Sequence, residues 1–206
     1  PTPVLTVTAL GSIFIREKKS MTSGVDKMCL HLSVSVTHSR SNLRKSHSEV
    51  LAEIENIVHY INSLEATKRP EFEGNLATAF GCTLEGPVSE RTVWSLALQL
   101  MVLGFDEVGR SETAGYANPA QIKRLIRLVK KEVGNGHLSS IQLHNTRGLT
   151  LANALAALEE GITTLGSSLG GIGGCPFAPG ARGNIVTEVL VFMMFSMALQ
   201  SSMDLK

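Results

Sequence analysis

The chain has 206 residues, of which 43% are hydrophobic and 18% charged, and its formal net charge is +1. This length allows one domain with a sizeable core. The near-neutral charge gives neither a basic field for nucleic acid nor an acidic tail. Three cysteines are an odd, sparse set that fits a reducing compartment better than a disulfide framework. These values indicate a soluble globular α/β protein that does not bind nucleic acid.

The longest apolar run, Ile185 to Leu199, contains Glu188 and is shorter than the ~20 residues that span a bilayer. It therefore predicts a buried helix and no membrane partner. Residues 1–20 hold three basic residues but no convincing signal or transit peptide. We expect a cytoplasmic protein, with the mitochondrial matrix as the alternative.

Residues 1–28 carry one apolar strip, Val4 to Ile15, and then a polar, basic stretch, and they form an unassigned N-terminal segment. From Cys29 onward, strands and helices are predicted to alternate. The alternating, β-branched stretch Cys29 to Val36 predicts a strand, His38 to Asn42 a loop, and the helical period of Ser46 to Glu65 a helix. The other predicted strands are Asn75–Phe80, Asp106–Ser111, Ile141–His144 and Thr163–Ser168. The other predicted helices begin after Ser89, at Pro119, at Leu151 and near Ile185.

Five βα units in strict alternation indicate a parallel sheet with helices outside it. The units are about 30–40 residues long, which suits a barrel or a doubly wound fold. No GxGxxG follows the first strand, so the pattern gives no support for a dinucleotide-binding fold.

The stretch from Thr164 to Glu188 is unusually rich in glycine, with seven glycines between Gly166 and Gly183. That density is too high for a helix or a strand and lets the backbone turn sharply or approach a neighbour closely. A flexible linker is the simplest alternative. A linker would be richer in serine and poorer in apolar residues, and this loop leads directly into an apolar segment.

The loop sequence GGIGGCPFAPGARGN, followed by TE and an apolar helix, resembles the signature loop of the hydroxymethylglutaryl-CoA lyase family. That family consists of metal-dependent TIM barrels that cleave a carbon–carbon bond. Four other stretches resemble the ends of the family's strands, and the resemblance covers about residues 29 to 197. These stretches are Ser33–Asn42, Phe80–Gly86, Arg110–Pro119 and Gln142–Asn153.

The resemblance implies an α/β fold, a partial TIM (β/α)8 barrel whose five units match strands four to eight. The lyase-like domain then spans residues 29–206, and the first three units are missing or replaced by residues 1–28. A complete barrel needs roughly 250 residues.

Gln142 and His144 lie two apart on a strand, so their side chains point to the same face. The family has a histidine at both positions, and both bind a divalent cation. Gln142, His144 and Asn184 are therefore the candidate metal ligands, and this mixed oxygen and nitrogen set suits Mg²⁺ or Mn²⁺. The family's remaining ligand, an Asp beside an Arg at the end of strand one, has no counterpart in the chain.

The resemblance implies that Cys175 is the acid that protonates the departing thioester enolate. Glu112 stands where the family has Asp and is the second catalytic candidate. Gln142 replaces a histidine that takes part in proton transfer, and glutamine cannot titrate near neutral pH.

Each candidate also has a structural interpretation. His144 could be a satisfied core histidine and Cys175 a buried small hydrophobe. Asn184 could cap the closing helix, and Glu112, like Glu85, could be solvated or capping.

The implied function is a metal-dependent carbon–carbon lyase that cleaves a 3-hydroxyacyl-CoA to acetyl-CoA and a keto acid by a retro-aldol reaction. The first alternative is a catalytically silent relative that binds a metal, an acyl-CoA or a partner subunit. The second is a related acyl-transfer synthase making a 2-hydroxy acid, which the glycine loop and the absence of a long C-terminal extension disfavour.

Five strands of an eight-strand barrel leave two open edges and, we expect, an exposed apolar inner face. The sequence therefore predicts a homo-oligomer, a complementing subunit, or a substitute strand within residues 4–15.

Overall fold

The computed structural model describes residues 6–11, 24–65, 69–177, 180, 182–201 and 203. Its centre is one sheet of six parallel strands, each paired with the next strand in sequence. The strands are β1 Thr8–Gly11, β2 Lys27–Ser33, β3 Glu71–Ala77, β4 Glu107–Glu112, β5 Ser140–Leu143 and β6 Thr164–Gly166. This arrangement confirms the predicted partial TIM barrel.

The sheet has one strand more than the five predicted, because β1 pairs in parallel with β2. Strand β1 lies inside the apolar strip from Val4 to Ile15. A substitute strand within residues 4–15 was one of the three alternatives predicted for the open edges of the sheet. The predicted boundary between the N-terminal segment, residues 1–28, and the lyase-like domain stays a prediction. Strand β2 begins at Lys27, before that boundary.

Within the described residues, six α-helices connect and cover the strands. They are α1 Val36–Leu43, α2 His47–Asn62, α3 Glu90–Leu103, α4 Pro119–Val133, α5 Thr150–Glu159 and α6 Thr187–Ser196. Short 3₁₀ turns lie at Asn135–His137 and Leu169–Gly171.

Local capping explains where the predicted helices begin. Ser46 and Glu49 form a capping box at the start of α2. Asn118 caps α4 by accepting a hydrogen bond from the backbone N–H of Gln121, with Pro119 in the first turn. These helices begin within one residue of the predicted positions.

Helix α1 contradicts the prediction of a loop over His38 to Asn42. The Ser35 hydroxyl accepts a hydrogen bond from the His38 backbone N–H (3.0 Å) and starts the helix. Arg44, with a φ of 59°, ends it in the left-handed conformation. The stretch is weakly apolar, so a helical period does not reveal this eight-residue helix.

The hydrophobic core lies between the helices and the outer face of the sheet. Strand β2 shows the alternation clearly, since Met28, Leu30 and Leu32 are fully buried. The helices contribute apolar residues from one face each, such as Ile54 and Ile61 from α2. The outer face of the sheet is thus covered by the helices, and the inner face is the one that can form a functional site.

The inner face of the sheet is polar, so the expectation of an apolar inner face is wrong. The Lys27 ammonium forms ion pairs with Glu73 (2.9 Å) and with Glu107. The Ser140 hydroxyl donates to Oε1 of Glu73 (2.7 Å). Buried charges are tolerated here because they are paired and hydrogen-bonded to one another.

Helix α6 is buried on one side only, which corrects the expectation of a buried helix. Leu190 and Val191 are buried, whereas Val189, Phe192 and Phe195 are exposed. Within the described ranges, no helix has the length and apolar character needed to cross a membrane.

Candidate active site

A cavity of about 820 Å³ opens at the carboxyl ends of the central strands, where active sites of TIM barrels lie. Four of the five predicted site residues line it together. They are Gln142 and His144 from the end of β5, and Cys175 and Asn184 from the glycine loop. Glu112 is not among the residues that line the cavity.

His144 follows β5 directly, and its ring is oriented by one backbone carbonyl. Nδ1 of the imidazole lies 2.8 Å from the carbonyl oxygen of Thr113 and donates to it. Such a bond fixes the tautomer and leaves Nε2 as the nitrogen that can accept a proton or bind a metal. His144 is therefore both hydrogen-bonded within the fold and part of the cavity wall.

Gln142 and Asn184 form an amide pair. The Gln142 side-chain N–H donates to Oδ1 of Asn184 (2.7 Å). The Ser111 hydroxyl lies 3.3 Å from Oε1 of Gln142 and has its shorter hydrogen bond to Oδ1 of Asn75 (2.7 Å). The Asn184 amide donates to the carbonyl of Ile172 (3.1 Å). The predicted oxygen ligand on Asn184 is thus engaged within the protein.

The suggestion that Asn184 caps the closing helix is wrong. The N-cap residue of α6 is Val186, and no side chain caps that helix. Asn184 instead lies beside the end of β5, because backbone hydrogen bonds on both sides of it join the loop to that strand. The N–H of Asn145 donates to the carbonyl of Gly183, and the N–H of Ile185 donates to the carbonyl of Leu143 (both 3.0 Å).

Close backbone contacts explain why the loop around Asn184 needs glycine. A Cβ atom on Gly183 would lie 2.1 Å from the carbonyl oxygen of Gly171. A Cβ atom on Gly173, whose φ is 140°, would lie 2.6 Å from the amide nitrogen of Asn184. Only glycine lets the loop fold back on itself at these two positions.

Cys175 is half-buried in the cavity wall, whereas Cys29 and Cys82 are buried. Its Sγ atom lies 3.4 Å from Nε2 of His38, and Nδ1 of His38 lies 2.8 Å from the hydroxyl of Ser33. Burial lowers the pKa of His38. The edge of the Phe177 ring faces the imidazole at a centroid distance of 6.4 Å.

His38 is the cavity residue that sequence reasoning missed. It was placed in a predicted loop, although a signal was available. Ser35 lies three residues before it, directly after a strand, and this spacing is typical of a helix N-cap. Recognising the cap places His38 in the first turn of a helix at a strand's carboxyl end.

Glu112 is only 1% exposed and holds the turn that follows β4. Its carboxylate accepts from the backbone N–H groups of Gly115 (2.7 Å) and Tyr116 (2.5 Å). Burial raises its pKa. Glu112 is therefore not solvated, and its proposed catalytic role stays a prediction.

Glu85 caps the first turn of α1. It accepts from the Ser35 hydroxyl (2.5 Å) and the Thr37 N–H (3.2 Å). The hydrogen bond from Ser35 lowers the pKa of this carboxyl.

The donor set of the cavity does not fit a divalent metal. No Asp or Glu of the described residues lines the cavity, which instead includes Arg44 and Lys45. In the described part of the chain, no three His, Cys, Asp or Glu side chains are placed to share a metal ion. One imidazole and two amides that bond each other lack the carboxylate that Mg²⁺ sites rely on.

Comparison with known proteins identifies related sequences. Residues 15–206 match the family model described as HMGL-like. The chain is 34% identical over 189 residues to a hydroxymethylglutaryl-CoA lyase of Bacillus subtilis, covering 92% of this chain and 62% of that protein. It is 31% identical over 186 residues to the human cytoplasmic 3-hydroxy-3-methylglutaryl-CoA lyase, covering 90% of this chain and 49% of that protein.

A solved structure shows the same fold. An HMG-CoA lyase from Acinetobacter baumannii, in complex with coenzyme A and 3-methylmalate, matches with a TM-score of 0.91 and 37% identity. The match covers 98% of this chain and 64% of that one, so this chain spans about half to two-thirds of the proteins it resembles. Since the family model matches most of its length, the chain belongs to the HMGL-like family.

Proposed function

We propose that the chain carries the reaction cavity of a carbon–carbon lyase that cleaves a 3-hydroxyacyl-CoA, with hydroxymethylglutaryl-CoA as the substrate to test first. One observation carries this proposal. The ends of the strands and the glycine loop bring Cys175, His144 and Asn184 into one cavity, in a fold that superimposes on a lyase with a TM-score of 0.91.

The charge of the cavity supports an acyl-CoA as the ligand. Arg44 and Lys45 are part of its wall, in which no carboxylate of the described residues takes part, although the Lys45 ammonium forms an ion pair with Glu53. Cationic side chains of this kind attract phosphate groups such as those of coenzyme A. The related lyase from Acinetobacter baumannii is described in complex with coenzyme A.

The proposed chemistry of the chain's own residues centres on Cys175 and His144. Cys175 donates the proton that the enolate carbon of the departing thioester takes up. His144, with Nδ1 bonded to the Thr113 carbonyl, offers Nε2 to the substrate. Gln142 contributes no titrating group, and it orients Asn184.

A divalent metal, Mg²⁺ or Mn²⁺, is part of this proposal only together with an additional anionic ligand. When bound, it would polarise the hydroxyl and a carboxylate of the substrate. His144 through Nε2 and the amide oxygens of Gln142 and Asn184 are the chain's available donors. The two amides would first have to give up their mutual bond.

The same observations support a second candidate function, a catalytically silent relative that binds an acyl-CoA or a partner subunit. The Gln142–Asn184 pair and the absence of a carboxylate in the cavity's described wall favour it. The cellular location also stays a proposal, since relatives include proteins named cytoplasmic and mitochondrial.

The assay that tests the function uses the purified chain with hydroxymethylglutaryl-CoA, with and without Mg²⁺ or Mn²⁺, and measures acetyl-CoA. We expect measurable cleavage well below the ordinary range of about 1–10³ per second. Cys175→Ala should abolish it, whereas Cys82→Ala, away from the cavity wall, should not. No cleavage under any condition, combined with saturable binding of coenzyme A, would instead support the silent relative.

A further inference from the structure

We propose that His38 and Cys175 form a thiol–imidazole pair, oriented by Ser33, in which the histidine supplies and withdraws the proton of the cavity thiol. The pairing itself does not depend on the proposed lyase function. Only the identity of the proton acceptor, an enolate carbon of an acyl thioester, rests on that function.

The geometry of the pair is that of an activated thiol. Nε2 of His38 lies within hydrogen-bond distance of the sulfur at 3.4 Å. The other ring nitrogen contacts the Ser33 hydroxyl at 2.8 Å, which fixes the ring. Proteins activate thiols by placing a base beside the sulfur and a third group that orients the base. Cys175, His38 and Ser33 have this arrangement.

Each of the three residues is held by a different element. Ser33 ends strand β2, His38 lies in the first turn of α1, and Cys175 lies in the glycine loop. The His38 backbone is fixed because its N–H donates to Ser35. Two of the three residues are thus part of regular structure, which limits the movement of the imidazole relative to the cavity.

Position 142 gives the pair its significance. The sequence indicates that the cavity lacks the first histidine of the family's pair, because glutamine stands at position 142 of β5 and cannot titrate. His38 lines the same cavity from α1 and contacts the thiol directly. The chain therefore has an acid–base group beside Cys175 that does not belong to the β5 pair.

The proton balance is simple. Cys175 gives its proton to the enolate carbon and becomes a thiolate. The neutral imidazole of His38 then takes up a proton from solvent and passes it to the thiolate, which restores both groups. In the reverse sense, His38 removes the proton from the thiol, and the thiolate attacks an electrophilic carbon that carries a leaving group, such as the iodide of iodoacetamide.

Other titratable and charged groups line the same cavity as the pair. They are His31 from β2, Arg44 and Lys45 at the end of α1, and His144 after β5. Glu85 lies at the first turn of α1, where it accepts a hydrogen bond from Ser35. Burial already lowers the pKa of His38, so the imidazole is neutral near pH 7 and can accept a proton.

The test measures the rate at which iodoacetamide alkylates Cys175 between pH 5 and 9, with peptide mapping to identify the thiol. Alkylation forms the bond from Sγ to carbon and releases iodide, while the thiol proton passes to His38. We expect Cys175 of His38→Gln to be alkylated about tenfold more slowly than Cys175 of the wild type at pH 7, with a shifted pH profile, because no imidazole takes up the thiol proton. His59→Gln, an exposed histidine of α2, should match the wild type.

Protection of Cys82 in the same peptide map reports whether each variant is folded. Identical pH profiles for the wild type and a folded His38→Gln would overturn the pair. If Cys82 becomes reactive in His38→Gln, that variant is not folded and Ser33→Ala replaces it as the test. Loss of the orienting hydroxyl should shift the pH profile of Cys175 alkylation in the same direction. An unchanged profile in Ser33→Ala refutes the proposal. A shifted profile in a chain that cleaves no acyl-CoA would retain the pair and reject the lyase function.

Discussion

Arg110 is a charged side chain in an otherwise apolar layer. It lies on β4, is 1% exposed, and has buried Leu76 and Ile141 beside it on the neighbouring strands. Its Nε and Nη2 atoms have no hydrogen-bond partner in the described part of the chain. Burial lowers its pKa to about 9, which shows the cost of keeping the charge there.

We therefore predict that Arg110→Leu stabilises the protein. Because burial lowers the folded-state pKa of Arg110 to about 9, below that of an arginine in the unfolded chain, the charged form costs stability at every pH below the unfolded pKa. Removing it should raise the free energy of unfolding by on the order of 3–5 kcal/mol. Urea unfolding at pH 7 measures the change, and Arg91→Leu, an exposed arginine of α3, is the control. A decrease in stability for Arg110→Leu alone would contradict the assignment of a buried, uncompensated charge.

The amide pair of Gln142 and Asn184 leads to a prediction about metal binding. With no carboxylate from the described residues in the cavity wall, the chain should bind Mn²⁺ weakly, with a Kd on the order of 10⁻³ M or above. His144→Ala should remove the remaining affinity. Isothermal titration calorimetry measures both, and tight binding that survives His144→Ala would reject these residues as the site.

At the scale of the elements, the glycine loop determines where Asn184 and Cys175 lie. A Cβ atom on Gly183 would meet the backbone of Gly171, which cannot move as a flexible side chain can. We predict that Gly183→Ala costs about 1–3 kcal/mol of stability and alters the alkylation rate of Cys175. Gly136→Ala has open space around its new methyl group and is the matched control. Equal melting temperatures and equal Cys175 labelling in the two variants would mean that the loop does not require this glycine.

The regular elements could be predicted from sequence because their signals are local. The capping box at Ser46 and the apolar period of α2 indicate that helix directly. The placement of Gln142 and His144 on one face follows from the strand period alone. Their meeting with the glycine loop required the family resemblance.

The features that the sequence left open or did not predict depend on distant contacts or short signals. Strand β1, which the sequence predicted only as one of three alternatives, is four residues long and, among the described strands, pairs only with β2. Helix α1 has a serine cap but little apolar period. The pair of His38 and Cys175 joins residues 137 positions apart, and no local pattern records such a contact.

At the scale of the whole molecule, two histidines of the inner cavity give stability a defined pH dependence. Burial lowers the pKa of both His31 and His38 below 6.5. The unfolded chain therefore takes up protons near pH 6.5 that the folded protein does not bind. The stability contributed by these groups is present above that pH and is lost as pH falls through their folded-state pKa values.

We predict that the free energy of unfolding falls between pH 7 and pH 5 and that His31→Gln/His38→Gln reduces this slope. Glu112 acts in the opposite direction, because burial raises its pKa and its protonation favours the folded state as pH falls. Because Glu112 is present in both proteins, the difference in pH slope between the wild type and the double variant reports the contribution of the two histidines. Urea unfolding at several pH values measures it, and equal slopes would contradict the prediction.

The open sides of the molecule determine its behaviour in solution. Strand β1 and strand β6 each have one partner strand in the described sheet, so each leaves an unpaired edge. Helix α6 adds an exposed apolar face formed by Val189, Phe192 and Phe195. Unpaired parallel edges and a contiguous apolar face both favour association with another chain.

We therefore predict that the purified chain associates, with a second copy or with a complementing segment, and that α6 contributes to the contact. Size-exclusion chromatography with light scattering should give a mass above that of one 22.1 kDa chain. Phe192→Ser/Phe195→Ser should shift the mass toward the monomer, because it removes the apolar face without touching the cavity residues. Val102→Ser, at an 81% exposed apolar residue of α3, should leave the mass unchanged. A monodisperse monomer for the wild type would show that the edges and this face are satisfied within one chain.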